Sequence, residues 1–481
     1  MAYTTNPLTL TPARALRGAV DIPGDKSISH RAVMFGSLAK GDTRVTHFLE
    51  SADCLATMDC FERLGVRIGR DPAKPGELVV HGAGLRGLNP GGTAAGSAVR
   101  SRTDCAQEHP FYAASARESG SSPAGRPAVQ LYSANSGTTT RILSGILAPQ
   151  DFTSILSGDS SVNRRPMKRV IEPLSEMGAD IISVGGNGCA PLRITGKALH
   201  GITYRTKVAS AQVKSAILCA GLYADGKTTV IEPAVSRDHT ERMLAAFGHA
   251  PDVKDLTDAD GAFAGHAVTV TPAAELTSPG VIVVPGDISS AAYFIAAACI
   301  TPDAEVLIRN VGMNRTRGGI LRAAEAMGAD ITVLNYVDAA EPYADLLVKT
   351  SSLHGTTIEG SIIPTLIDEL PVIAVMAAAA EGTTVIRDAA ELKVKESDRI
   401  ATVTEGLRAM GADVTPTDDG MIIRGGKPLR GALIHTCKDH RVAMSFAVAS
   451  LIAEGETTLD DPGCVNISYP EFFRDLRSLT A

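Results

Sequence analysis

Apolar and polar residues alternate in short runs that open at Leu8, Leu78, Leu192, Val268, Leu346 and Met421. A period of two marks a half-buried strand. The steps between the runs are 70, 114, 76, 78 and 75 residues, so the chain reads as six copies of one unit, one of them about half a unit too long. Self-similarity at a fixed period decides the architecture before any local assignment does.

Each unit repeats one pattern. A strand such as LTLT (8–11) or LRIT (192–195) leads to a second, as in VDIPG or VIVVPG. A helix of small and apolar residues follows: KSISHRAVMFGSLA, NSGTTTRILSGIL, SAQVKSAILCAGLYA, ISSAAYFIAAACI, LIDELPVIAVMAAAA and DHRVAMSFAVASLIA. These helices are apolar nearly all round, which predicts burial on most of their surface. A β-branched strand comes next, such as KTTVIEP or AEVLIRNV, and then an amphipathic helix with Arg, Glu and Lys on one face. In the first five units that helix runs into LGVRI, MGADI, FGHAPDV, MGADI and MGADV, where the glycine is placed to cap the helix C-terminus. The sixth reads VNISYPEFFRDLRSL.

Strands alternating with helices at these lengths predict an α/β fold. After circular shift the unit is βαβαββ, with the small-residue helices inside and the sheets and amphipathic helices around them. A chain of 481 residues is long for one core, and six units divide most simply into three and three. The extra length of the second unit lies at about 89–127, between LRG (85–87) and VQLYSANSG (129–137). Rich in Ser, Gly and Ala, it reads as an exposed, flexible insertion.

Composition narrows the function classes. No apolar run has spanning length, and IAVMAAAA (373–380) is too short. The N-terminus lacks a signal pattern. The eight cysteines form no CxxC pair and have no histidines at metal spacing. Cys54 and Cys60 read as core or surface thiols and Cys105 with His109 as poorly spaced for a metal, so no metal is expected. Scattered cysteines suit a reducing, cytoplasmic setting. The net charge of −7, few aromatics and no basic run argue against a nucleic-acid platform.

The polar residues that stand out recur where the helices begin. The inner helices open on Gly24-Asp25-Lys26-Ser27 with Arg31, on Asn135-Ser136-Gly137-Thr138 with Arg141, on Ser210-Ala211-Gln212 with Lys214, and on Lys438-Asp439-His440-Arg441. The outer helices repeat the theme with Arg164-Arg165-Pro166, Ser236-Arg237-Asp238-His239 and Lys395-Glu396-Ser397-Asp398-Arg399. Any one such start is an ordinary N-cap beside a solvated cation. Seven together predict sites for a small polyanion, because helix N-termini supply N–H groups and a favourable dipole. Asp368, at the start of an apolar helix, and Glu396, between Lys395 and Arg399, are candidates for paired proton transfer. Each has a plain alternative: a helix-start carboxylate for Asp368, and a surface ion pair with Arg399 or Lys393 for Glu396. Residues 221–228 fit the phosphate-loop pattern GxxxxGK[ST], but a helix precedes them and a strand follows, the reverse of what that motif needs.

PGDKSISHRA (23–32), NSGTTTR (135–141), GDSSVNRRPM (158–167), VASAQVKSA (208–216), SRDHTERM (236–243), PGDISSAAYF (285–294), LKVKESDR (392–399) and DHRVAMSF (439–446), in this order, resemble the 5-enolpyruvylshikimate-3-phosphate synthases, or 3-phosphoshikimate 1-carboxyvinyltransferases. The resemblance covers essentially the whole chain outside the insertion. It implies a two-lobed inside-out α/β barrel with three repeats per lobe, one lobe at 23–284 and the other at 1–22 plus 285–481, with substrates in a cleft between them. It implies transfer of the enolpyruvyl group of phosphoenolpyruvate to the 5-hydroxyl of shikimate 3-phosphate, with release of phosphate and without metal or organic cofactor. A monomer in the cytoplasm, without nucleic-acid or membrane partners, is the matching expectation.

The resemblance also implies roles. Lys26, Gly137, Arg141, Arg165, Gln212, Arg399 and Arg441 look like the phosphoenolpyruvate site. Lys26, Ser27, Arg31, Ser210, Ala211 (through its backbone), Gln212, Arg237, Asp368 and Lys395 look like the shikimate 3-phosphate site. Asp368 would accept the hydroxyl proton and Glu396 would protonate the methylene carbon, with Lys26 assisting. Two positions depart from relatives: Ile467 precedes Ser468-Tyr469-Pro470 where some carry Lys, and His239 stands where others carry Tyr. Gly137, where insensitive relatives can carry Ala, implies sensitivity to glyphosate. A transferase acting on UDP-N-acetylglucosamine is the nearest alternative. It typically carries Lys-Asn where this chain has Lys26-Ser27, and often a loop cysteine that 163–166 lacks.

Overall fold

The computed structural model describes residues 6–91 and 127–480. Most of the expected insertion, from 92 to 126 and including Cys105 and His109, lies outside the described residues. The described residues form two compact units, one of residues 26–284 and one of residues 1–25 with 285–481.

Six sheets share one plan. In the second repeat, Val129–Tyr132 pairs in parallel with Thr153–Ser157, which pairs antiparallel with Leu192–Thr195, which in turn pairs antiparallel with Asp180–Ser183. The order recurs in the other sheets. Five of the six runs picked out by alternation supply the strand flanked by the two antiparallel pairings, and the sixth, Leu8–Leu10, has one antiparallel partner among the described residues. Tyr343–Lys349 shows why the period is two: Ala344, Leu346 and Val348 are buried and the residues between them are not. The sixth sheet has three strands among the described residues and takes its last from Leu8–Leu10, so the two chain ends share one repeat. The first sheet borrows its parallel strand from Leu276–Thr277 and Val281–Val283, at the end of the same unit.

Helices follow the predicted alternation. The inner set in residues 26–284 is α1 (Lys26–Leu38), α3 (Gly137–Leu147) and α5 (Ala211–Gly221); the outer set is α2 (Ala52–Arg63), α4 (Lys168–Glu176) and α6 (His239–Ala246). In the other unit the inner helices are α7 (Ile288–Ile300), α9 (Leu370–Ala379) and α11 (His440–Ser450), and the outer ones α8 (Gly319–Ala326), α10 (Arg399–Ala409) and α12 (Phe472–Leu479). In α7 only the final Ile300 escapes burial, and α9 is buried from Leu370 to Ala378. Each unit therefore has its own apolar core of helices with sheets around it, the inside-out α/β arrangement. The outer helices bury one face only: α12 buries Phe472, Leu476 and Leu479.

The five predicted C-cap glycines share one conformation. Gly65, Gly178, Gly248, Gly328 and Gly411 have φ between 84° and 96°, the left-handed region. After α2 the Gly65 N–H donates to the Glu62 carbonyl at 3.0 Å and the Val66 N–H to the Phe61 carbonyl at 3.0 Å. This is the paired closure that satisfies the last carbonyls of a helix. The phosphate-loop look-alike is read correctly as something else: Gly221 ends α5, and Thr228 opens the strand Thr228–Glu232.

Candidate active site

In residues 26–284 the cationic helix starts are held by short-range partners. Lys26 opens α1 and forms an ion pair with the nearly buried Asp53 of α2. Ser136 caps α3 by accepting from the Thr139 N–H at 3.0 Å. Arg141, one turn into α3 and buried, donates to Gln212 Oε1 at 2.5 Å, and Gln212 Nε2 donates to Thr138 Oγ1 at 3.0 Å. The starts of α3 and α5 are thus clasped together. Arg165 reaches the same place, donating to Asn135 Oδ1 and Ser161 Oγ at 3.1 Å each. A Cβ on Gly137 would meet the Nη1 atoms of Arg141 and Arg165 at 2.7 and 3.1 Å. Two guanidinium groups therefore converge on a residue without a side chain, beside a helix N-terminus. A carboxylate or phosphate fits such a place.

The start of α5 is less fully capped. Ser210 makes no side-chain cap bond, which leaves the first-turn N–H groups of Gln212 and Val213 without that partner. Arg237 is half-buried in the turn before α6, and His239 is buried in that helix. Two cations of the predicted set point inward. Lys214 is fully buried between Glu232 at 2.9 Å and Glu241 at 2.7 Å, so it is not part of an anion site. Arg31, 2% exposed, donates to Thr240 Oγ1, the Ser27 carbonyl and Ser215 Oγ at 2.8–2.9 Å, which ties α1 to α5 and α6.

In the other unit the carboxylates and cations form one network. Arg399, first residue of α10 and 1% exposed, is its hub. It donates to Glu396 Oε2 at 2.5 Å, to Asp368 Oδ1 at 3.3 Å and to both oxygens of the fully buried Asp439, at 2.8 and 3.2 Å. Burial alone would raise the Asp439 carboxyl, but the Arg399 charge and hydrogen bond prevail and hold it below the usual carboxylate range. Asp439 also caps α11, accepting from the Arg441 N–H at 3.0 Å. Asp368 lies just before α9 with Lys395 Nζ at 3.6 Å, while Arg441 donates to its backbone carbonyl at 3.3 Å. Asp368 and Glu396 remain partly exposed at 15% and 25%.

The sequence reading chose Asp368, Glu396, Lys395, Arg399 and Arg441 from separate stretches, and all five belong to this cluster. Gly137, Arg141, Arg165 and Gln212 gather in the other unit, where Lys26 pairs with Asp53. Glu396 does pair with Arg399, so its plain alternative and its candidate role coexist. Asp53 was missed; Asn135, Thr138 and Asp439 were named only as helix-start residues, without their task of holding Arg165, Gln212 and Arg399. Asp439 was legible as an N-cap ahead of α11. Asp53 had no signal, since its pairing with Lys26 joins two helices. Ile467 ends a short 3₁₀ turn, and Tyr469 after it is buried with its hydroxyl on Asp475 at 2.8 Å. Among the described residues no three His, Cys, Asp or Glu gather to hold a metal, and no helix is long and apolar enough to cross a membrane. No disulfide joins the seven described cysteines, and Cys54 and Cys60 are buried.

Six βαβαββ repeats with cations at their helix starts define an enolpyruvyl transferase fold. The enolpyruvyl transferase NikO from Streptomyces tendae shares it with a TM-score of 0.71 over 98% of this chain and 97% of its own, at 17% identity. The family model for EPSP synthase (3-phosphoshikimate 1-carboxyvinyltransferase) matches residues 10–96 and 113–476. A 3-phosphoshikimate 1-carboxyvinyltransferase from Desulforudis audaxviator is 48% identical over 98% of this chain and 99% of its own. An EPSP synthase structure from Acinetobacter baumannii aligns with a TM-score of 0.80 at 41% identity, covering 99% and 98%. The chain belongs to the EPSP synthase family.

Proposed function

We propose that the protein transfers the enolpyruvyl group of phosphoenolpyruvate to the 5-hydroxyl of shikimate 3-phosphate, in the shikimate pathway to chorismate and the aromatic amino acids. The observation that carries this reading is Arg399: one buried guanidinium holds Asp368 and Glu396 side by side, with Lys395 and Arg441 next to them. Asp368 takes the proton of the attacking hydroxyl as its oxygen bonds to C2 of phosphoenolpyruvate. Glu396 delivers a proton to the methylene carbon, assisted by Lys26. The product of addition carries a methyl group and the phosphate on one tetrahedral carbon. Loss of a methyl proton and departure of phosphate restore the carbon–carbon double bond. Positioned acids and bases of this kind supply roughly 10²–10⁴ in rate, and the cations stabilise charge on both substrates.

Lys26, Gly137, Arg141, Arg165, Gln212, Arg399 and Arg441 take phosphoenolpyruvate in this reading. Lys26, Ser27, Arg31, Ser210, Ala211, Gln212, Arg237, Asp368 and Lys395 take shikimate 3-phosphate. Arg31 serves from beneath, through its bond to the Ser27 carbonyl. The anionic substrates compete for Lys395 and Arg441, loosening their hold on Asp368. We read the protein as a cytoplasmic monomer.

Ligand-linked melting tests the substrate assignment. Shikimate 3-phosphate at 100 times its Kd stabilises by about 2.7 kcal/mol, and a rise in Tm is expected with it and not with UDP-N-acetylglucosamine. The reverse pattern would favour the transferase of the UDP-sugar.

A further inference from the structure

Behind the uncapped start of α5 lies a buried ionic cluster that the reaction scheme does not use. Glu232 is the last residue of the strand Thr228–Glu232 and is fully buried. One carboxylate oxygen accepts from the Ser210 N–H at 2.8 Å, and the other accepts from the Ser236 hydroxyl at 2.7 Å. Lys214 lies 2.9 Å from the second oxygen and 2.7 Å from Glu241, with no exposed surface. Burial would discharge this lysine, but the carboxylates of Glu241 and Glu232 outweigh it and keep its titration above the usual lysine range.

We propose that Glu232 is a positioning residue for shikimate 3-phosphate: it fixes, from one strand end, the segment Ser210–Gln212 and the segment bearing Arg237, so that both meet the substrate's phosphate in register. The inference rests on the reading above. Its physical basis is connectivity. Ser210 precedes the first residue of α5, and Ser236 directly precedes Arg237. These two segments are joined to each other through a single carboxylate on a sheet, the most rigid support available to a loop. A binding constellation tolerates little misplacement, so a buried charge-assisted bond to each loop has a direct effect on affinity. Glu241 touches the same lysine and holds neither Ser210 nor Ser236 through any of these bonds, and so acts as counter-charge alone.

The comparison of Glu232→Gln with Glu241→Gln isolates the device. Either substitution leaves Lys214 one carboxylate, so a purely structural role would move both variants alike. Steady-state kinetics with each substrate varied in turn, beside Tm, give the readout. Loss of one charge-assisted bond is worth about tenfold. Glu232→Gln is therefore expected to raise KM for shikimate 3-phosphate about tenfold or more, with KM for phosphoenolpyruvate and kcat changing far less. Glu241→Gln is expected to leave all three near wild type. Equal effects of the two variants, or an unchanged KM in folded Glu232→Gln, would overturn the proposal. If Glu232→Gln does not fold, the triple variant K214M/E232M/E241Q, which strands no charge, is measured with the same expectation and the same overturning result. Absence of transfer by the wild type would instead sink the activity on which the proposal rests.

Discussion

His30 shows how far a single residue's surroundings can set its chemistry. It follows Lys26 by one turn of α1, is fully buried, and shares a 2.7 Å hydrogen bond with Thr57 Oγ1. Thr57 is in turn 2.7 Å from Thr139, which donates to the Ser136 cap at 2.7 Å. Desolvation, then the charges of Lys26 and Arg31, hold its pKa well below the ordinary 6.5. The unfolded chain thus binds a proton that the folded protein refuses. The contribution to stability is full above about pH 6.5 and is lost progressively as pH falls from there toward the folded-state value. Urea unfolding between pH 7.5 and 5 is expected to show this loss in wild type, with a flatter profile in His30→Gln. Gly137 gives a second prediction. Its missing Cβ would press on the ends of two arginine side chains, so Gly137→Ala keeps the fold, raises KM for phosphoenolpyruvate and weakens inhibition by glyphosate. Inhibition equal to wild type would refute it.

At the scale of elements, the helix ends were the most legible feature. LG, MG or FG before a strand marked the terminus of the first five outer helices because a left-handed residue is needed there, and glycine supplies it without steric cost. Two of these positions separate conformation from packing. At Gly411 a Cβ would meet nothing within 4 Å, so Gly411→Ala is expected to cost only the left-handed strain, about 1–2 kcal/mol. At Gly65 a Cβ would be 2.6 Å from the Asn89 carbonyl oxygen, and Gly65→Ala is expected to cost clearly more. Chemical denaturation ranks the pair, and a reversed order would mean that the chain around Gly65 yields easily. The cationic helix starts were equally visible, but their partners were not. Lys214 reads in sequence like Lys26, yet two glutamates from a strand and an outer helix bury it. Burial of a charge depends on neighbours distant in the chain, and periodicity carries no information about them.

For the whole molecule, six repeats were legible because each unit hides the same apolar helix and exposes the same turns. The joint between first and last repeats was harder to see. Leu8–Leu10 completes a sheet with Thr457–Leu459, more than 400 residues away, and its own alternation is only three residues long. The grouping of Asp368, Glu396, Arg399 and Asp439 was half legible. Lys395 to Arg399 is one local motif, whereas Asp368 and Asp439 join it only through folding of three repeats around one core. In the proposed reaction, that gathering would turn separate helix-start residues into a proton-transfer site with charge stabilisation. Phosphate release from phosphoenolpyruvate and shikimate 3-phosphate, followed for wild type and Asp368→Ala, tests it most directly. Release is expected to require both substrates and to fall by roughly 10²–10⁴ in the variant, with the variant's fold intact. Release from folded wild type that needs only one substrate, no release at all, or an undiminished rate in Asp368→Ala would contradict it.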